Sequence, residues 1–160
     1  MKRDPALVPL SRQHHDGLAL GVFIRRGLSE SDPKWTLAEL RAQALTLWDH
    51  EYFGHFAVEE RFVFPVARKA IPDPSLVDAL LADHEELRSC FALLQRRPPE
   101  QCRALLLQIG KRLVRHIRRE ERELFQALQA SLDDGAMNAL GRHVEEQLPA
   151  MCLSLGSAAT

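Results

Sequence analysis

The sequence predicts an all-α protein: an antiparallel up-down four-helix bundle with a short extra C-terminal helix. Three observations carry this reading. Leu, Ala, Arg, Glu and Gln are abundant, and all are strong helix formers. The β-branched residues never alternate with polar ones over the length of a strand. Breakers rich in Pro, Gly and Asp cut the chain into four long segments and a shorter fifth, with connections short enough to favour antiparallel neighbours. A chain of 160 residues, 46% of them hydrophobic, fits one domain with a real core. That domain is expected to span residues 1–160, with the bundle at about 7–131 and the last helix at about 136–148.

The first helix is expected from about Pro9 to Leu28, ending near Gly27 at the linker Ser29-Glu30-Ser31-Asp32-Pro33. The second opens with Asp32 before Pro33 as a cap and with Thr36 and Glu39 spaced as a capping box. It runs to about Ala70, with Pro65 bending or weakening its last turns, and Ile71-Pro72-Asp73-Pro74 closes it. The third covers Pro74 to about Gln95 and stops at Arg97-Pro98-Pro99, and the fourth covers roughly Pro99 to Ser131. The fifth, about Ala136 to Leu148, precedes Pro149 and a frayed tail.

Composition excludes several function classes. A formal net charge of -1 lacks the basic excess of a general nucleic-acid binder. No apolar run approaches the ~18 residues of a membrane span. The start, with a positive tip but no continuous apolar region, is not expected to be a leader peptide. Cys90, Cys102 and Cys152 are odd in number and widely spaced, which suits neither a disulfide framework nor a zinc knuckle. A reducing, cytoplasmic setting is therefore expected.

One internal repeat carries chemistry. His55-Phe-Ala-Val-Glu59-Glu60-Arg61-Phe-Val-Phe64 on the second helix matches His116-Ile-Arg-Arg-Glu120-Glu121-Arg122-Glu-Leu-Phe125 on the fourth, with His, both Glu, Arg and Phe at identical offsets. A single His-x-x-x-Glu usually marks an exposed polar pair. The face it occupies changes that. At ~100° per residue, His116 and Glu120 fall on the stripe of Leu106, Ile109, Leu113, Ile117 and Leu124, and His55 and Glu59 on that of Leu45, Trp48, Tyr52, Val63 and Val66. His84 lies among Val77, Leu80, Leu81, Leu87 and Phe91, and His14 among Leu7, Leu10, Leu18 and Leu28. Four histidines and two carboxylates thus face the inside of the bundle. Buried carboxylates without partners are costly, and a metal pair resolves that cost. Imidazole and carboxylate without thiolate suit iron or manganese, then zinc. The competing reading is a metal-free His–Glu hydrogen-bond network.

His15 competes with His14 as the ligand from the first helix, but it is rotated ~100° off the stripe. His50 is expected to face solvent, and His143 to be structural or at the surface. Glu60 and Glu121 sit off the stripe and are expected to pair with arginines one turn away. Tyr52 reads as core, with a hydrogen bond behind the ligands as its functional alternative. The run Lys111, Arg112, Arg115, Arg118, Arg119 and Arg122 reads as a solvated face.

The ordered set His14…His55-x-x-x-Glu59…His84…His116-x-x-x-Glu120, flanked by Leu10-Ser-Arg-Gln-His14-His15, Phe64-Pro65 and Glu120-Glu121-Arg122-Glu-Leu-Phe125, resembles the hemerythrin family in its HHE cation-binding branch, over about residues 7–130. The resemblance implies a four-helix bundle around two non-haem iron ions. Glu59 and Glu120 would bridge them, and His14, His55, His84 and His116 would be terminal ligands. It implies binding or sensing of O2, NO, peroxide or iron. Oxygen-carrying members have a fifth histidine where this chain has Arg88, and a guanidinium cannot ligate a cation. Water, Glu85, Glu51 or Tyr52 is left to fill that place, and the pure oxygen-carrier reading weakens. The expected role is therefore a diiron protein that binds or senses a small ligand, working with a protein partner if it signals. The alternatives are a metal-dependent enzyme acting on peroxide or O2 or donating iron in repair, an iron store, and a bundle with a vestigial site.

Overall fold

A computed structural model describes residues 2–29 and 35–153, the side chains of the last three excepted. The chain is 89% helical, with no strand among the described residues. Helix α1 (Val8–Gly27) follows a 3-10 turn, Pro5–Leu7, whose first amide is taken by the Asp4 side chain at 2.9 Å. Helix α2 spans 37–70. Its start is the expected capping box: the Glu39 amide donates to Thr36 Oγ1 at 3.2 Å, and the Thr36 amide donates back to Glu39 at 2.8 Å. The Asp32 cap expected upstream lies outside the described residues, as does the tail beyond residue 153. Helix α3 is Ser75–Arg96, and helix α4 spans 103–131 after a 3-10 turn, Pro99–Gln101.

Helix α5 departs from expectation. It is not a short element ending before Pro149 but a helix of 20 residues, Asp134–Leu153, with Pro149 inside it. Proline there removes one amide bond to the Glu145 carbonyl. Glu145 and Pro149 both lie on the exposed face, so water can take up the freed carbonyl and the helix continues.

Helix ends are paired across the molecule. Arg103 on α4 donates to the Leu28 carbonyl at 2.7 Å, while Arg3, ahead of α1, reaches Gln129 at the far end of α4. Arg41 near the start of α2 donates to the Leu94 and Gln95 carbonyls at the end of α3. Helix α5 packs along the middle of α2 and against the Pro5–Leu7 turn. Gly141 allows that approach, because a Cβ there would lie 2.8 Å from Ala6 Cβ.

The core is divided in two. One apolar cluster gathers Leu20, Trp48, Phe56, Leu87, Phe91, Leu113 and Ile117, and the other Leu7, Leu10, Val63, Phe64, Leu80, Leu124 and Val144. On each of α1 to α4 the inward stripe crosses from one cluster to the other at a histidine. The polar layer between them is the feature the fold is built around.

Helices α2 and α4 are not uniform. Both widen into a π turn, Glu59–Val63 in α2 and Glu120–Leu124 in α4, and α2 has a further one at Trp48–Tyr52. The irregularity expected at Pro65 sits just ahead of it. Proline is not the common cause, since Gln126 holds the equivalent place in α4. Both shared π turns begin on the glutamate of the repeat, and such turns occur mostly as local devices at functional sites.

Candidate metal centre

The six inward residues expected from the sequence come together. His14, His55, Glu59, His84, His116 and Glu120 are all buried. They form two sets of ligand atoms, each within 4.8 Å of one another: His14, His55, Glu59 and Glu120, and Glu59, His84, His116 and Glu120. The carboxylates of α2 and α4 belong to both sets.

The imidazoles aim Nε2 inward. His14 Nε2 faces His55 Nε2 at 3.1 Å, and His84 Nε2 faces His116 Nε2 at 3.1 Å. Glu59 Oε1 lies 3.1 Å from His55 and its Oε2 3.4 Å from His84. Glu120 Oε2 lies 3.2 Å from His14 and 3.3 Å from His116. Among the described residues, none of the four carboxylate oxygens has a hydrogen-bond partner.

The outward Nδ1 atoms explain the rest of the repeat. His14 Nδ1 donates to Glu121 and His84 Nδ1 to Glu60, each at 2.7 Å. The second glutamate of each copy therefore holds the histidine of the partner helix. His55 Nδ1 donates to Gln13 Oε1 at 2.8 Å, and His116 Nδ1 has Asp83 Oδ2 at 3.8 Å. Gln13 and Asp83 each immediately precede a cluster histidine, His14 and His84. The repeat's phenylalanines follow the same rule: Phe125 stacks on His14 at 5.6 Å, and Phe64 lies 5.2 Å from His84. Such outer contacts fix the tautomer and the direction of an imidazole ligand.

This corrects the expectation for Glu60 and Glu121. Their cationic partners are not on their own helices: Glu60 accepts from Arg88 on α3 at 2.7 Å, and Glu121 pairs with Arg3 and with Ser11. Position 88 thus contributes through Glu60, with its guanidinium also 5.7 Å over the Phe56 ring. Tyr52 is core and also donates to the Gln13 carbonyl at 3.1 Å. Gly17 makes room for it, since a Cβ there would lie 2.7 Å from Tyr52 Cζ. Glu51 neighbours Asp16. His15 and His50 are exposed, and the exposed His143 stacks on Phe62 at 5.2 Å.

Charge is strongly organised. Burial pushes the His14 pKa down, but the Glu120 and Glu121 carboxylates beside the ring outweigh it and raise the value to about 9. Burial likewise opposes His84, and Glu59 and Glu60 raise it. Glu59 is pushed up by burial yet held well below the usual carboxylate range by His55 and His84. Asp83 and Glu121 are held at about 2, burial being outweighed by His116 and Arg115 in the first case and by His14, Ser11 and Arg3 in the second. Asp83 also meets Arg112 and Arg119, at 3.3 and 3.4 Å.

Fully buried carboxylate oxygens without donors, ringed by imidazole Nε2 atoms, fit a cation and suit little else. The fold and the site define a metal-binding helical bundle. The model of the hemerythrin HHE cation-binding domain matches residues 7–128, and the chain belongs to that family. No curated protein and no solved structure matches it. Among the described residues, no helix is long and apolar enough to cross a membrane.

Proposed function

We propose that the whole chain is one hemerythrin-like domain, an antiparallel four-helix bundle (α1 to α4) with α5 added, and that it holds two iron ions and binds or senses a small ligand such as O2, NO or peroxide, or iron itself. The observation that carries this is the sharing of Glu59 and Glu120 between two four-residue sets while all four of their oxygens lack hydrogen bonds among the described residues. His14 and His55 would cap one ion and His84 and His116 the other, with the two carboxylates bridging. Bound iron supplies a coordination position at which a small ligand exchanges.

The chain's own residues do the rest. Glu121, Gln13 and Glu60 hold His14, His55 and His84 with Nε2 inward. Phe56, stacked on His84 at 3.7 Å, and Phe125 close the layer to water. Arg88 stands where oxygen carriers have a further imidazole, and it is engaged with Glu60. That favours ligand exchange or sensing over pure oxygen carriage.

The test is metal content and the near-UV and visible spectrum of protein purified without chelator. A pair of irons per chain, with an intense ligand-to-iron band that changes on addition of azide or O2, is the expected result. A single ion or zinc alone would remove the oxygen chemistry, and no metal after anaerobic Fe(II) loading would overturn the reading.

A further inference from the structure

Away from the His/Glu layer, an open groove of about 780 Å³ runs along the surface where α1 packs closely against α4. Gly21 and Gly110 face one another across its floor, and Val22, Leu107 and Val114 line it, with Leu107 43% and Val22 38% exposed. Its lining holds six of the chain's 21 Lys and Arg but one of its 22 acids, so charge is segregated onto this face of a nearly neutral chain. Arg115 and Arg119 are engaged with Asp83. Arg25, Lys111, Arg118 and Arg122 are exposed and form no ion pair among the described residues.

The cations are regularly placed. Lys111, Arg118 and Arg122 follow α4 at intervals of seven and four residues, which keeps them on one helical face. Arg25 stands opposite on α1. From Leu107 to Glu123 the groove follows α4 for about 24 Å at the helical rise. A small anion would meet only one or two of these cations and none of the apolar floor. A helix carrying carboxylates at i, i+7 and i+11, with leucine-like residues between them, matches both charge and floor along the full length.

We infer that the α1–α4 groove is the docking surface for an acidic amphipathic helix of a partner protein. The inference stands apart from the metal reading, because none of the four free cations touches the His/Glu layer.

The probe is a fluorescein-labelled peptide of about 16 residues with Glu at i, i+7 and i+11 and Leu on the same face, read by fluorescence anisotropy on the full chain. Expected are saturable binding that weakens with salt, loss of about tenfold or more in affinity for K111E/R118E/R122E, and recovery when that variant meets the peptide with Lys in place of Glu. Leu107→Ser should also weaken binding, while R96E/R97E should not. Circular dichroism checks that each variant is folded. Absence of binding, equal binding of a Gln-for-Glu peptide, or binding that survives the triple substitution would overturn the inference. So would a groove-dependent dimer, or capture by phosphatidylglycerol vesicles with no peptide bound.

Discussion

Replacing Glu59 and Glu120 together by glutamine separates a metal centre from a polar core network. Both side chains are completely buried, and their oxygens meet only imidazole nitrogens at 3.1 to 3.9 Å. In the metal-free chain the substitution removes two buried carboxylates, and with them part of what raises the His14 and His84 pKa values, so those two rings can shed their protons in response. Exchanging a buried ionic set for a neutral one is often close to neutral, so the metal-free variant should melt within about 1–2 kcal/mol of the parent. For a chain of this size that is a few degrees, at ~2–4 °C per kcal/mol. The effect of metal is larger. At a free concentration of ~100 times Kd, binding to the folded state alone adds about 2.7 kcal/mol, which raises Tm by roughly 5–11 °C. The parent should show that rise on anaerobic Fe(II) addition and lose it with chelator, followed by far-UV circular dichroism, while E59Q/E120Q should show neither. A variant that keeps most of the Fe(II)-induced rise would refute the ligand assignment. Collapse of the metal-free variant by more than about 5 kcal/mol would show that the carboxylates hold the fold itself.

Asp83→Asn should weaken metal binding by about 10- to 100-fold, measured by competition with a chromogenic chelator, because it removes the carboxylate facing His116 Nδ1. The same residue sets an acid limb. Its folded pKa lies below the ordinary value, so its contribution is complete above 3.8 and is lost as pH falls toward about 2; acid titration of D83N should be flatter through that window. Gly17→Ala should cost about 1–3 kcal/mol in a urea melt, since the new Cβ meets Tyr52 Cζ and Ile117 Cδ1 at 2.7 Å and Tyr52 must leave the Gln13 carbonyl. Thr36→Ala should lose ~1 kcal/mol through the α2 cap while leaving the Fe(II)-induced rise intact, which places the cap outside the centre.

Much of this arrangement is legible in the chain because helical periodicity and metal ligation make the same demand. The stripe that fills the core also carries His14, His55, His84 and His116 inward, and one rotation of ~100° separates buried His14 from exposed His15. What periodicity misses lies between helices. Glu60 sits off the stripe of its own helix, so an angular reading sends it to an arginine one turn away, although its partners, the His84 imidazole and Arg88, are both on α3. The repeat held the missing signal: Glu60 and Glu121 recur at the same place, and a recurrence that extends past the ligands is hard to assign to solvent. Asp83 and Gln13, each one residue before a histidine, could be found only by pairing the two halves. The π turns are invisible to an analysis that assumes 3.6 residues per turn. Pro149 misleads because an interior proline can strain a helix without ending it, and here the carbonyl it frees, that of Glu145, lies on the exposed face.

The ring contacts around Phe56 give the protein a built-in optical reporter. Of its two tryptophans, Trp35 is 39% exposed beside Phe23, whereas Trp48 is buried, stacked on Phe91 at 4.4 Å and edge-on to Phe56 at 5.7 Å. Phe56 in turn lies flat against His84. One indole is therefore open to water and to acrylamide, while the other sits in an apolar wall, separated from His84 by the single ring of Phe56. Trp35→Phe leaves a single indole, whose emission is expected to change as Fe(II) fills the centre; emission unchanged on anaerobic Fe(II) loading would refute that coupling.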